Sequence, residues 1–261
     1  MIAYPEIDPI IVSVGPLALR WYGLMYSLAF LLGWPLISWR VKRLHPDWSS
    51  EDVADMLVWL LLGIVLGGRL GYVVFYNFSY FIDHPLDIFM VWQGGMSFHG
   101  GVIGVLAACV LFSRKRSIPC LELADLVVPV VPLGLFLGRI GNFINGELWG
   151  RTTDLPWAMI FPTGGPLPRH PSQLYEAFLE GIFLFTILWI ISLKQRVPGV
   201  LLGLFLVGYG ICRFAVEFVR EPDGHIGLLA MDFTLGQWLS LPMIIIGSGL
   251  IFWVVKRGSE R

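Results

Sequence analysis

The sequence predicts an all-α, polytopic integral membrane protein: a seven-transmembrane helical bundle carrying a small extracytoplasmic arm or cap. Three observations predict it. Of 261 residues, 56% are hydrophobic and only 14% charged, against roughly 25% charged in soluble domains, and the mean hydropathy is +0.72. Apolar stretches of about 20 residues, the length that crosses a bilayer, recur along the whole chain. Basic residues gather between alternate stretches, as the positive-inside bias of membrane proteins requires.

The first stretch, about 17–39, opens with RWYGLMY and is followed by Arg40, Lys42 and Arg43. The second, about 56–78, carries Gly63, Gly67 and Gly71, a small-xxx-small ladder that lets helices approach closely in lipid. Gly100/Gly104, Gly134/Gly138 and Gly199/Gly203 repeat that spacing. The third stretch, about 96–113, precedes Arg114, Lys115 and Arg116. The fourth, about 121–143, contains Pro129 and Pro132, which interrupt helical hydrogen bonding. The fifth, about 173–193, precedes Lys194 and Arg196; the sixth covers about 199–219. The seventh, about 235–255, precedes Lys256, Arg257 and Arg261. Seven crossings, with the N-terminus outside and the C-terminus in the cytoplasm, put all four lysines on one side. Six or eight crossings are the alternatives. The Pro/Gly-rich stretch of about 144–172 then lies outside and supplies the arm. No linker divides the chain, so residues 1–261 read as one integral membrane domain.

Several function classes drop out. The net charge of −1 offers nothing to nucleic acid. Cys109, Cys120 and Cys212 have no paired spacing and no CxxC, so neither a disulfide framework nor a metal site is expected. The start, MIAYPEIDPI, lacks the basic and apolar regions of a secretory signal. No GxSxG, HExxH or carboxylate dyad supports serine-hydrolase or metallopeptidase chemistry, and no cofactor is implied.

Seven basic residues remain unexplained by topology, and all are arginines: Arg20, Arg69, Arg139, Arg151, Arg169, Arg213 and Arg220. In the topology above they fall in the outer half of the membrane or just beyond it. Snorkelling to headgroups is the plain reading, but lysine snorkels equally well and is absent there. Arginine's planar fork grips phosphate or carboxylate in a way lysine cannot. Other polar residues share that depth: Tyr22 and Tyr26, Tyr72 and Tyr76, His99, and the run GRIGNFINGELWG (138–150), with Arg139, Asn142, Asn145, Glu147 and Gly150. RHPSQLYE (169–176) and YGICRFAVEFVREPD (209–223) join them. Ionisable groups at membrane depth are costly and mark functional sites by default. Tyr209, Arg213, Glu217 and Arg220 recur on one helical face, and Arg213 can pair with Glu217 across one turn. For Glu217 a structural salt bridge and a site role stand level. Asn145 and Glu147 either hold the Arg139 guanidinium or close the helix end. His99 is either a proton-transfer group or a helix-start structural residue, and His170 faces the same choice.

Those motifs, with GGRLGYVVFYN (67–77) and GGMSFHGG (94–101), closely resemble the bacterial prolipoprotein diacylglyceryl transferase family over nearly the whole chain. The resemblance implies an enzyme of the bacterial cytoplasmic (inner) membrane, with its active site in the outer half of the bilayer. Its partners would be phosphatidylglycerol, the preprolipoprotein signal peptide with its lipobox cysteine, and the lipid bilayer itself. The diacylglyceryl group would pass to the cysteine thiol, and glycerol phosphate would leave. On the resemblance, His99, Arg139 and Arg213 are the catalytic residues, His99 as base toward the thiol and the two arginines on the lipid phosphate. Asn142, Tyr22 and Tyr209 would join them in binding phosphatidylglycerol, while Glu147, Gly150, Asn145, Glu217, Arg220, Arg69 and His170 support the site. The rival classes are a transporter or flippase for anionic lipids or organic phosphates, and a receptor-like protein that only binds lipid.

Overall fold

A computed structural model describes residues 2–5, 7–15, 17–222 and 227–259. Glu6 of PEIDPI, Asp223 at the close of the REPD run, and Arg261 lie outside the described residues. The described chain is mostly helical and polytopic, with six continuous helical segments long and apolar enough to cross a membrane, two of them, Cys120–Ile144 and Ser172–Ser192, changing helix type within their length.

It begins with an element that the all-α expectation lacked. Strands β1 (Ile10–Val14) and β2 (Leu17–Arg20) pair antiparallel as a hairpin. The β-branched run IIVSV has few χ1 options and suits a strand. Gly15, at φ +60°, supplies a backbone conformation that other residues resist. The apolar stretch expected from residue 17 therefore turns helical only at α1 (Trp21–Leu44). Helix α2 (Ser50–Phe75) starts six residues before the expected 56. Its polar first turn is held by a capping box: Ser49 Oγ accepts the Asp52 amide at 3.2 Å and Asp52 Oδ2 accepts the Ser49 amide at 2.9 Å. The short α3 (Phe78–Asp83) and two 3₁₀ turns lead to α4 (Phe98–Arg116), whose N-cap is Ser97. The fourth stretch is broken at its prolines, as α5 (Cys120–Val127), a 3₁₀ turn at Val128–Val130, and α6 (Val131–Ile144). The fifth is α7 (Ser172–Glu176), a π-helical turn at Ala177–Phe183, and α8 (Leu184–Ser192). Helix α9 (Val200–Val216) has 17 residues, a rise of roughly 25 Å against a hydrocarbon core of about 30 Å. Helix α10 (Leu235–Ser259) closes the chain.

The chain forms two compact units, Met1–Ile37 with Val127–Arg261, and Ser38–Leu126. In the second unit α2 and α4 pack through the glycine ladder. A Cβ on Gly63 would stand 2.6 Å from the Gly104 carbonyl oxygen, and one on Gly71 would stand 2.7 Å from Gly100 Cα. At their far ends Lys115 pairs with Asp55 at 2.9 Å and Arg116 pairs with Asp52. Arg40, counted above among the topological charges, is instead buried inside α1. It donates to the carbonyls of Asp125 (2.8 Å) and Leu126 (3.1 Å). Placing valine at Gly104, where a Cβ already meets Gly67 Cα at 2.9 Å, is expected to destabilise this unit by about 1–3 kcal/mol. Thermal unfolding in detergent measures that, and an unchanged midpoint would contradict the close approach.

In the first unit α9 and α10 meet in the same manner: a Cβ on Gly203 would stand 2.9 Å from the Gly247 carbonyl oxygen. Gly199 is the N-cap of α9 at φ +99°, a backbone conformation that favours glycine, and the Gly134/Gly138 pair differs. Gly138 has open space where a Cβ would stand, and Gly134 meets only Ala29 Cβ at 3.8 Å. Gly181, which the spacing did not single out, is the contact glycine of this region. A Cβ there would lie 2.6 Å from Phe136 Cβ, so the π-helical turn and α6 run almost backbone to backbone.

Candidate active site

That contact delivers Arg139, one turn beyond Phe136 on α6, onto two carboxylates of the fifth stretch. Arg139 Nε lies 2.8 Å from Glu176 Oε2, and its Nη2 lies 3.3 Å from Glu180 Oε2. From α9, Arg213 Nη1 lies 2.7 Å from Glu176 Oε1 and 3.7 Å from Glu180 Oε1, while its Nη2 pairs with Glu217. Arg220 Nη1 lies 2.9 Å from Glu176 Oε1, and its Nε lies 3.6 Å from Glu217. Three arginines and three glutamates thus form one neutral cluster, with Glu176 touching all three guanidiniums. Glu180 lies within the π-helical turn and Glu176 immediately precedes it; such turns recur at functional sites.

Burial decides what this cluster can do. The Glu176 and Glu180 side chains have no solvent exposure, whereas those of Arg139 and Arg213 keep 18% and 16%. Among the described residues Arg139 Nη1 and Arg213 Nε have no hydrogen-bond partner. The arginines therefore keep open edges on a network whose buried side is closed by carboxylates. Permanent N–H donors in a low-dielectric setting suit an anion. Tyr209 lies one turn before Arg213 on α9, its ring stacked on Phe205 with centroids 5.8 Å apart.

The end of the GRIGNFINGELWG run has a second task. Asn142 and Asn145 do not reach Arg139; both donate to Glu147 Oε1, at 2.9 and 3.2 Å. Gln173 Nε2 holds the Glu147 carbonyl at 2.6 Å, and Ser172 holds that of Leu148 at 3.0 Å. Gly150 then bridges to Arg220. A Cβ at Gly150 would stand 2.5 Å from the Val219 carbonyl oxygen and 2.7 Å from His170 Cβ, so only glycine fits. Arg151 completes the seam, its amide on the Val219 carbonyl (2.8 Å) and its Nε on that of Arg220 (3.1 Å). This stitching fixes Arg220 beneath Glu176. Tyr22 packs its ring on Gly141 and faces Tyr26, hydroxyl to hydroxyl at 3.4 Å.

His170 belongs to the same seam. Its amide donates to Arg151 and its Nδ1 is 3.2 Å from the Tyr175 hydroxyl. Burial lowers its pKa from the ordinary 6.5, so the fold favours the neutral ring. That contribution to stability is complete above the unfolded value and is lost as pH falls through the lower folded one. Thermal midpoints taken from about pH 7.5 down to about pH 5 should fall more steeply in the wild type than in His170→Gln. Equal slopes would remove His170 from the account.

His99 and Arg69 belong to the second unit. His99 is exposed in the first turn of α4, edge-on to Phe98 at 5.6 Å. Arg69 is buried and spent on carbonyls: Nε on Ile88 (2.8 Å), Nη1 on Gly94 (2.6 Å) and Gly95 (3.1 Å), Nη2 on Asp87 (2.5 Å). Among the described residues no group of three or more His, Cys, Asp or Glu is arranged to hold a metal ion. Sequence reasoning missed Glu176 and Glu180. The usable signal was Glu180 itself, an acid inside AFLEGIFLF, which membrane burial permits only with a partner.

Residues 9–253 match the family described as Prolipoprotein diacylglyceryl transferase. The chain is similar to the phosphatidylglycerol–prolipoprotein diacylglyceryl transferase of Cupriavidus pinatubonensis, 53% identical over 100% of this chain and 98% of the relative. It is also similar to those of Idiomarina loihiensis (55% identical over 94% of this chain and 92% of the relative) and Pseudoalteromonas atlantica (57%, 97% and 91%). Agreement of this extent, across the segments that build the arginine–glutamate cluster, means that the chain belongs to the prolipoprotein diacylglyceryl transferase family.

Proposed function

We propose that this protein transfers the diacylglyceryl group of phosphatidylglycerol to the lipobox cysteine of a preprolipoprotein. The observation that carries the reading is the cluster of Arg139, Arg213 and Arg220, with two donors left open among apolar helices. In the reaction the cysteine sulfur forms a bond to the glyceryl carbon. The bond from that carbon to the phosphoester oxygen breaks, and glycerol phosphate leaves with the electron pair. Arg139 Nη1 and Arg213 Nε are the donors placed to stabilise the charge on the departing phosphate. Tyr22, Tyr209 and Asn142 complete lipid binding. The thiol proton must go to a base, because the thiolate is the nucleophile, and His99 is the candidate that the family resemblance supplies.

The same reading takes α9 as a seventh crossing, with residues 217–222 completing its span. It puts the N-terminus outside, the C-terminus in the cytoplasm, the arginine cluster in the outer half of the cytoplasmic membrane, and residues 145–171 as an external cap. Alternation of the basic segments supports that orientation. A test uses purified protein, phosphatidylglycerol micelles and a lipobox peptide. The peptide should gain the mass of one diacylglyceryl group, and a Cys→Ser peptide should gain none. A folded, lipid-binding preparation that leaves the peptide unchanged would refute the transfer. Movement of phosphatidylglycerol between leaflets without any peptide product would instead favour the flippase.

A further inference from the structure

The start of α10 is tied to the arginine cluster through residues outside every motif quoted above. Thr234 is buried just before α10, and its hydroxyl is used twice. Oγ1 accepts the Gln237 amide at 3.2 Å and donates to Glu217 Oε2 at 2.5 Å. Gln237 Oε1 returns the exchange by accepting the Thr234 amide at 3.0 Å, a capping box. Two residues on, a Cβ at Gly236 would stand 2.5 Å from the Glu217 carboxyl carbon. The Glu217 carboxylate therefore rests on the first turn of a 25-residue helix, whose free N–H groups favour an anion. From there it holds Arg213 Nη2 and lies 3.6 Å from Arg220 Nε.

We propose that Thr234 and Gly236 are positioning residues for Arg213, acting through Glu217. The inference rests on the phosphate-binding role given to Arg213 under the proposed function. Capping alone does not account for the arrangement. A cap needs only an acceptor, which Ser, Thr, Asp and Asn all provide; the bond to Glu217 needs a donated proton as well. The last torsion of a glutamate is broad and roughly two-fold. Without the hydroxyl donor and the close wall of Gly236, the carboxylate turns and Arg213 Nη2 turns with it. The direction of the open Nε edge is then lost.

Four variants test this in the transfer assay, each with its thermal midpoint recorded. Thr234→Ser keeps the donated proton and is expected to stay within about twofold of wild-type kcat/KM for phosphatidylglycerol. Thr234→Val keeps the shape and is expected to lose roughly tenfold, the scale of one hydrogen bond to a charged group. Gly236→Ala leaves the cap intact, displaces the carboxylate, and is expected to lose as much. Gln237→Met breaks the other half of the capping box; it is expected to lower the midpoint as Thr234→Val does while keeping kcat/KM within about twofold. Wild-type kcat/KM in Thr234→Val or in Gly236→Ala would overturn the proposal. So would a loss in Gln237→Met that matches Thr234→Val. An active wild type with indifferent variants refutes only this inference, whereas an inactive, folded wild type refutes the transfer itself.

Discussion

Glutamine at position 176 is expected to destabilise the folded protein by about 3–5 kcal/mol, the range for breaking a buried ion pair by removing one partner. The total stability of a domain is only about 5–15 kcal/mol, so much of the variant should fail to accumulate in folded form. The reason is the sharing of one carboxylate. Glu176 meets Arg139 at 2.8 Å, Arg213 at 2.7 Å and Arg220 at 2.9 Å, with no exposure of its own. Neutralising it leaves three guanidiniums against two carboxylates around a fully buried position. Glu180, with contacts of 3.3 and 3.7 Å, should tolerate the same change better. Adding Arg220→Gln to Glu176→Gln restores charge balance, so the double variant should be more stable than the sum of the two single losses. Thermal midpoints and yields in detergent check all of this. A Glu176→Gln midpoint equal to wild type would show that the carboxylate is not the keystone of the cluster.

Hydropathy carried much of the helical fold because the bilayer imposes length on the apolar runs directly. The break at Val128–Val130 was visible in Pro129 and Pro132, since proline lacks the N–H of an unbroken helix. The hairpin at Ile10–Arg20 was not, because a β-branched apolar run merges with the helix that follows it. Gly63, Gly67 and Gly71 were read as packing glycines from spacing alone, and α4 lies against them. At Gly199 a positive φ adds a requirement that spacing alone does not show. In the site, Arg213 and Glu217 could be paired from sequence because both lie on one helix, four residues apart. Glu176 and Glu180 could not, because their partners are 37 and 41 residues away, and only the packing of Gly181 on Phe136 brings them there. Thr234 was hidden for the same reason, as a cap whose second bond belongs to another helix.

Lysine at position 139 is expected to fold as the wild type does and to lose transfer by about a hundredfold or more, the scale for removing one stabilising donor from a site of developing charge. Charge is unchanged, so the balance with Glu176 and Glu180 survives and stability should not confuse the result. What changes is the fork. Arg139 places Nε on Glu176 at 2.8 Å and Nη2 on Glu180 at 3.3 Å, and still has Nη1 open. An ammonium is a point charge; drawn to the buried carboxylates, it has no rigid third arm for the phosphate. Arg213→Lys should behave alike, since its Nη1 and Nη2 are held by Glu176 and Glu217 and its Nε is open. Stabilising the departing phosphate is needed whichever group takes the thiol proton, so His99→Gln should lose less than either lysine variant. Rates of diacylglyceryl transfer to a lipobox peptide decide the order. Transfer that survives Arg139→Ala and disappears in His99→Gln would reverse it, and would move the centre of the chemistry from the arginines to the imidazole.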